Sequence, residues 1–168
     1  ACFEAAAARS DAFMSRWSIA EGHVSLASLA DRQCAFDVII ICSPTALHAK
    51  HLESTLALRP RLVFCEKPVT GDVAQTAHWV DRFEQEGVLL AVNHTRRWAP
   101  DIVQLRDELR DGTWGTLRSA SGRYNKGVLN NGGHLVDLLH FLLGPVEVLA
   151  AAAPVHDFWD DDPTIPAL

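Results

Sequence analysis

Three apolar runs constrain the fold of this chain more than any other feature: residues 38–42 (Val-Ile-Ile-Ile-Cys), 62–65 (Leu-Val-Phe-Cys) and 88–92 (Val-Leu-Leu-Ala-Val). The first is continuous and rich in β-branched residues, as expected of a central parallel strand covered on both faces. Each is followed by a polar break, and between them lie stretches of helical period. Residues 46–58 read as a helix that ends before Pro60, and 72–85 as a second helix, with Gly87 at its C′ position. Strand, helix, strand, helix, strand with short connections predicts parallel βαβ units with right-handed crossovers. Upstream, the alanine-rich residues 4–17 read as a helix, with Ala8, Ala12, Phe13 and Trp17 at helical spacing. Residues 25–29 read as a short helical turn with Ser25 placed as its N-cap.

After Asn93 the texture changes. Residues 100–110 form an amphipathic helical pattern, 111–115 a turn, and 117–124 a strand-like stretch with partial alternation. Residues 135–143 are a strongly apolar helix stopped by Gly144-Pro145, 146–152 read as another strand, and 157–162 as an acidic loop. The change of texture puts a domain boundary near 93–98.

Composition sets the class. The 168 residues are 48% hydrophobic and 21% charged, with a net charge of -6, which is ordinary globular composition. No basic run or stripe stands out, so a general nucleic-acid surface is not expected. Cys2, Cys34, Cys42 and Cys65 show no CxxC spacing and read as free thiols of a reducing compartment. With no signal peptide and no apolar segment of the roughly 20 residues that span a bilayer, the expected location is the cytoplasm. The chain starts without Met and ends without a polar tail, and both ends read as cut from a longer protein.

The chemistry gathers at the strand ends: Ser43-Pro44-Thr45 with His48, Glu66-Lys67-Pro68, and Asn93-His94. In adjacent parallel strands all three lie along one sheet edge, where open α/β folds bind ligands. A lysine held there can donate a proton or polarise a hydroxyl or carbonyl. Thr45 offers a hydroxyl to a ribose or nicotinamide edge, or serves as the N-cap of the following helix. His48 and His51 lie one turn apart with no third ligand nearby, and a surface or capping role is favoured over a metal pair. His134, Asp137 and His140 spread over about 120° of a helix at 100° per residue, too wide to converge on one ion. His134 is therefore assigned to a ligand site, with Asp137 and His140 as an i,i+3 pair. No metal is expected. The run Asn130-Asn131-Gly132-Gly133-His134 places two amides and two glycines at a helix start, where glycine permits close backbone approach.

Taken in order, the strand ends, Arg96-Arg97-Trp98-Ala99-Pro100, Gly112-Thr113-Trp114-Gly115 and Asn130-x-Gly132-x-His134-x-x-Asp137 resemble the glucose-fructose oxidoreductase / inositol dehydrogenase / rhizopine catabolism family. The resemblance implies an α/β chain: an incomplete Rossmann-type parallel sheet, residues 1–95, binding NAD or NADP. Part of an α+β domain with an open, largely antiparallel sheet, residues 96–168, follows and binds substrate. It implies an oxidoreductase acting on a secondary alcohol of a sugar, sugar nucleotide or cyclitol, a homo-oligomer at full length, with no nucleic-acid or membrane partner.

By the same resemblance Lys67 and His134 are catalytic, with Asn130 orienting substrate. Ser43, Pro44, Thr45, His48, Glu66, Lys67, Pro68 and Asn93 line the cofactor. Lys67, Arg97, Tyr124, Lys126, Asn130 and His134 contact substrate.

Three departures accompany it. Asn130 stands where the family often has an aspartate. No Gly-x-Gly-x-x-Gly occurs, so the first strand, phosphate loop and first helix are expected to be missing and the chain alone inactive. Where an acidic residue receives the ribose, the chain has Phe3 followed by Glu4, which leaves NAD or NADP open. A non-catalytic, regulatory dinucleotide- or sugar-binding protein on the same fold is the alternative that Asn130 favours.

Overall fold

The computed structural model describes residues 1–23 and 36–151. The helical turn expected at 25–29, Cys34 and the acidic loop at 157–162 lie outside the described residues. Strand β1 (Cys2–Phe3), helix α1 (Ala7–Trp17) and strand β2 (Gly22–His23) open the chain, and β1 pairs with β2 in parallel. The main sheet is β3 (Val38–Ile41), β4 (Leu62–Glu66) and β5 (Leu89–Asn93), all parallel in the order β3-β4-β5. Helix α2 (His48–Ala57), entered through a 3₁₀ turn at Thr45–Leu47, and helix α3 (Val73–Gln85) make the two crossovers. This is the βαβαβ pattern read from the apolar runs.

Local chemistry explains the limits of these elements. Asp72 caps α3 by accepting the Gln75 N–H at 2.7 Å, satisfying one of the donors a helix start leaves free. Gly87, at φ +67°, takes the left-handed turn after α3, a conformation glycine reaches without a Cβ penalty. Between them, α3 contributes Phe83, 1% exposed.

The core lies between the sheet and α2 and α3. Ile41, Leu52, Leu56, Val63, Cys65, Val69, Phe83 and Val88 form one buried cluster, with Ile39, Trp79, Leu90 and Val92 packed against it. Burying a side chain the size of Phe83 or Leu52 contributes about 2–3 kcal/mol each. The opposite face of the sheet leaves Val38, Ile40 and Leu89 exposed. The run at 38–42 therefore departs from expectation: among the described residues only one of its faces is covered. Cys65 is a buried free thiol; Cys2 and Cys42 are also free, Cys42 being exposed.

The second half is helical among the described residues. A 3₁₀ turn at Thr95–Trp98 leads into α4 (Pro100–Arg110), which begins with proline and carries Asp101 in its first turn, both favourable at a helix start. A π turn at Val128–Gly132 leads into α5 (Gly133–Leu143), which packs against α4. The strands expected at 117–124 and 146–152 do not form as far as Ala151, and no antiparallel sheet is seen among the described residues. A strand is defined by its partner; alternation without a neighbouring edge leaves backbone groups unpaired.

Candidate active site

The parallel register brings the polar groups together. Ile41, Cys65 and Val92 lie abreast, and Glu66 pairs with Asn93, so the three strands end on one rim. Asn93 donates its side-chain N–H to the Glu66 carboxylate at 2.6 Å, tying the ends of β4 and β5. Glu66 and Asn93 therefore spend side-chain atoms on each other.

His48 is 1% exposed. Its Nδ1 lies 2.8 Å from the Pro68 carbonyl oxygen and its Nε2 2.8 Å from that of Ser43. Both ring nitrogens of His48 are occupied by main chain, so the ring fastens the loop after β3 to the loop after β4. Pro68 follows a cis peptide bond and is partly buried beside this ring. The Ser43 hydroxyl is taken by His51 Nδ1 at 2.8 Å, and the His51 ring stands edge-on to Phe3, 5.9 Å between centroids. Thr45 makes no side-chain cap at the helix it opens. Of its two readings, the capping one is set aside, and the hydroxyl stays available at the rim beside exposed Pro44.

Across from the rim stands the π turn. Lys67 donates from Nζ to the Asn130 carbonyl oxygen at 3.2 Å and to Asn130 Oδ1 at 3.3 Å. An amide oxygen accepts from the ammonium without adding a charge. His134 follows one helical turn later on α5 and is half-buried. Burial first, then the cationic Lys67 and Arg96 and the neighbouring His94, hold the His134 pKa below the ordinary histidine value, with Asp137 opposing. His134 is thus kept neutral, the form able to accept a proton.

Gly132 allows the turn to close. A Cβ there would lie 3.0 Å from Tyr124 Cε2 and 3.3 Å from the Gly127 carbonyl oxygen. Tyr124 is accordingly placed against the turn carrying Asn130, while Lys126 is exposed.

Arg97 pairs with Asp137 of α5. Its Nε lies 2.9 Å from both oxygens of Asp137 and its Nη2 also bonds Oδ1. Its guanidinium sits 5.2 Å from the Phe141 ring centroid. Its Nε and Nη2 donors are thus committed to α5, while the side chain stays 40% exposed. Asp137, expected to pair with His140, pairs with Arg97 because the 3₁₀ turn, not the next helical turn, supplies the stronger fork. His140 is exposed.

His94, named in the sequence with Asn93 as part of a strand-end cluster, carries no assigned role there. His94 shows its Nδ1 buried without a hydrogen bond, 3.6 Å from Asp137 Oδ2. Its ring meets His134 edge-on, 6.2 Å between centroids. Its position directly after Asn93 at a strand end was the available signal. Beside it opens a cavity of about 530 Å³ bordered by Pro68, His94, Arg97, Val128 and Asp137. Among the described residues no group of three His, Cys, Asp or Glu side chains is disposed to hold a metal, and no helix is long and apolar enough to cross a membrane.

A parallel βαβαβ sheet with polar groups gathered at its carboxyl rim places the chain among the open α/β proteins that bind ligands at that edge. The model of the oxidoreductase family with an NAD-binding Rossmann fold, GFO_IDH_MocA, matches residues 1–94, and the chain belongs to that family. It is 31% identical over 137 residues to an inositol 2-dehydrogenase of Rhizobium meliloti (strain 1021), covering 72% of this chain and 41% of that protein. It is 29% identical over 131 residues to a D-glucoside 3-dehydrogenase of Escherichia coli (strain K12), covering 70% and 37%. An oxidoreductase from Agrobacterium radiobacter, solved with NAD+, L-tartaric acid and magnesium, superposes with a TM-score of 0.73 at 19% identity, covering 84% of this chain and 46% of that one. The chain spans less than half the length of these proteins.

The residues fit the nicotinamide side of such a cofactor: Thr45 and Pro44 border the rim, and Lys67 lies beyond it. The Gly-rich turn that cradles a pyrophosphate has no counterpart among the described residues.

Proposed function

We propose that the protein to which this chain belongs interconverts a secondary alcohol and a ketone on a sugar, sugar nucleotide or cyclitol, with NAD or NADP as redox partner. The observation that carries this reading is the convergence of Lys67, at the end of β4, with the Asn130–His134 segment, held by two hydrogen bonds of 3.2 and 3.3 Å. NAD(P)+, when bound, supplies the two-electron acceptor for the carbon-bound hydrogen.

In this reading residues 1–95 serve the cofactor and 96–168 the substrate. Lys67 donates a hydrogen bond to the reacting oxygen and stabilises the charge that develops there. His134, neutral, accepts the hydroxyl proton during oxidation and returns it during reduction. Asn130 holds the ammonium in place and orients a substrate hydroxyl, but as an amide takes no proton. Ser43, Pro44 and Thr45 border the cofactor. Glu66, Asn93, His48 and Pro68 shape the rim on which it lies.

The activities of the relatives, an inositol 2-dehydrogenase and a D-glucoside 3-dehydrogenase, support the substrate class. The test is a steady-state assay of the full-length protein, following nicotinamide absorbance over a panel of polyols and sugars. Lys67→Ala is expected to lower kcat by about 100-fold or more while changing cofactor Kd by less than about threefold. Unchanged turnover in the variant sinks the assignment of Lys67.

A further inference from the structure

We propose that His94, oriented by Asp137, is the proton relay of this site: it takes from His134 the proton released by the substrate and passes it to water in the cavity beside it. The proposal rests on the oxidoreductase reading above and goes beyond it, since nothing in that reading uses His94.

Three independent observations meet at this ring. Its Nδ1 is buried and unbonded, with the Asp137 carboxylate 3.6 Å away; a small rotation of either group turns this approach into an N–H···O bond. A carboxylate at Nδ1 selects the tautomer with the proton on Nδ1 and leaves the Nε2 lone pair free, which is how an acidic partner prepares an imidazole for proton transfer. Second, the ring stands edge-on to His134 at 6.2 Å between centroids. That spacing is suited to transfer through one bridging water. Third, His94 borders the 530 Å³ cavity together with Asp137, Arg97 and Pro68, giving the proton a way out that does not pass through the substrate.

The placement also answers a chemical need. Asn130 gives the site an amide where a carboxylate would serve as a second base, so the imidazolium formed at His134 has no acidic neighbour on that side. Lys67 and Arg96 both disfavour its positive charge. Asp137, one turn farther along α5, is the negative group nearby, and His94 meets both it and His134. In oxidation the alcohol loses a hydride to the nicotinamide and its O–H proton to a His134 nitrogen. The His134 N–H then gives its proton through the bridging water to His94 Nε2, and that Nε2 proton leaves to cavity water while Nδ1–H stays with Asp137. Bound NAD(P)+ would accept the two electrons that the carbon loses, and one proton is released.

The groups facing His94 are Asp137 and His134 from α5, Arg97 from its own 3₁₀ turn, and Lys67 and Glu66 from the end of β4. Burial dominates, and the Asp137 and Glu66 charges oppose it.

The test has two arms on the full-length protein. Nitrogen-15 NMR of the histidine side chains, without substrate, reads the tautomer. The relay requires a neutral His94 with Nδ1 protonated, and a proton resident on Nε2 overturns it whether or not the enzyme is active. In the second arm His94→Asn, an amide able to keep the Asp137 contact, and His94→Ala are compared with wild type for kcat, solvent deuterium effect and rescue by added imidazole.

The expected result is a loss of kcat of about tenfold or more, a larger solvent isotope effect, and recovery of His94→Ala by imidazole, with Tm near wild type for His94→Asn. Wild-type kcat in a folded His94→Asn overturns the relay. Should His94→Asn not fold, imidazole rescue and NMR of the wild type still decide. Absence of turnover by the wild type on every polyol tested overturns the oxidoreductase reading itself, and the relay with it.

Discussion

Replacing Arg97 by alanine should destabilise the fold rather than weaken substrate binding. Asp137 is 9% exposed at its side chain and Arg97 40%. Removing the guanidinium leaves a nearly buried carboxylate whose remaining contact is His94 Nδ1 at 3.6 Å. Breaking a fully buried pair costs about 3–5 kcal/mol, whereas an exposed pair is worth about 0–1 kcal/mol. With one partner buried and the other two-fifths exposed, water reaches the vacated space, and the cost falls between these limits at about 2 kcal/mol. Loss of the guanidinium over Phe141, 5.2 Å away, adds about 0.5 kcal/mol.

Urea unfolding of the full-length Arg97→Ala protein, followed by tryptophan fluorescence and circular dichroism with coincident transitions, reads this directly. Arg97→Lys should recover less than half, because an ammonium does not reproduce the two-pronged contact. Arg97→Ala combined with Asp137→Asn should be more stable than Arg97→Ala alone, since no unpaired carboxylate remains. A folded Arg97→Ala within about 0.5 kcal/mol of wild type, with a substrate KM raised tenfold, would refute this reasoning and return Arg97 to the substrate.

Two further outcomes follow from the same geometry. His51, His94 and His134 all have pKa values held below the ordinary histidine value, by burial first in each case. Groups depressed in this way bind more protons unfolded than folded. Their contribution to stability is complete above the unfolded value near 6.5 and is lost as pH falls toward the depressed folded values. The urea midpoint should fall between pH 7 and pH 5, with His134→Gln flattening the slope; a midpoint constant over that range contradicts the burial argument. Gly132→Ala places a methyl 3.0 Å from the Tyr124 ring and 3.3 Å from the Gly127 carbonyl. Displacing the turn that holds Lys67 should lower kcat about tenfold, and wild-type turnover would show that the turn does not set the lysine's position.

The sheet was legible because its information is local. Residues 38–42, 62–65 and 88–92 are apolar runs, and the caps at Asp72 and Gly87 announce the intervening helix by chemistry within a few residues. Strand order and direction follow from short connections. The pairings that organise the site are not local. Arg97 reaches Asp137 across 40 residues, and Lys67 reaches Asn130 across 63. His48 spends both ring nitrogens on carbonyls that periodicity cannot locate. Spacing on a helix made His140 the natural partner of Asp137; only packing of the 3₁₀ turn against α5 shows that Arg97 outcompetes it. The strand-like stretch at 117–124 failed for a related reason, since alternation specifies which face a strand would bury but not whether a partner edge exists.

The substitution at Asn130 gathers these observations into one electrostatic account. A carboxylate there would face the Lys67 ammonium directly and would draw a proton on His134 toward the same side. With an amide, the nearest negative charge to His134 is Asp137, placed one turn farther along α5 and already neutralised in large part by Arg97. A proton arriving at His134 therefore experiences Lys67 and Arg96 on one side and a partly compensated carboxylate on the other. This field favours passing the proton onward over holding it. The ring that meets both His134 and that carboxylate is His94, and it borders the cavity. The departure that favours a silent binding protein is thus also the one that gives an otherwise unused histidine a task, and turnover of a polyol by the full-length protein separates the two.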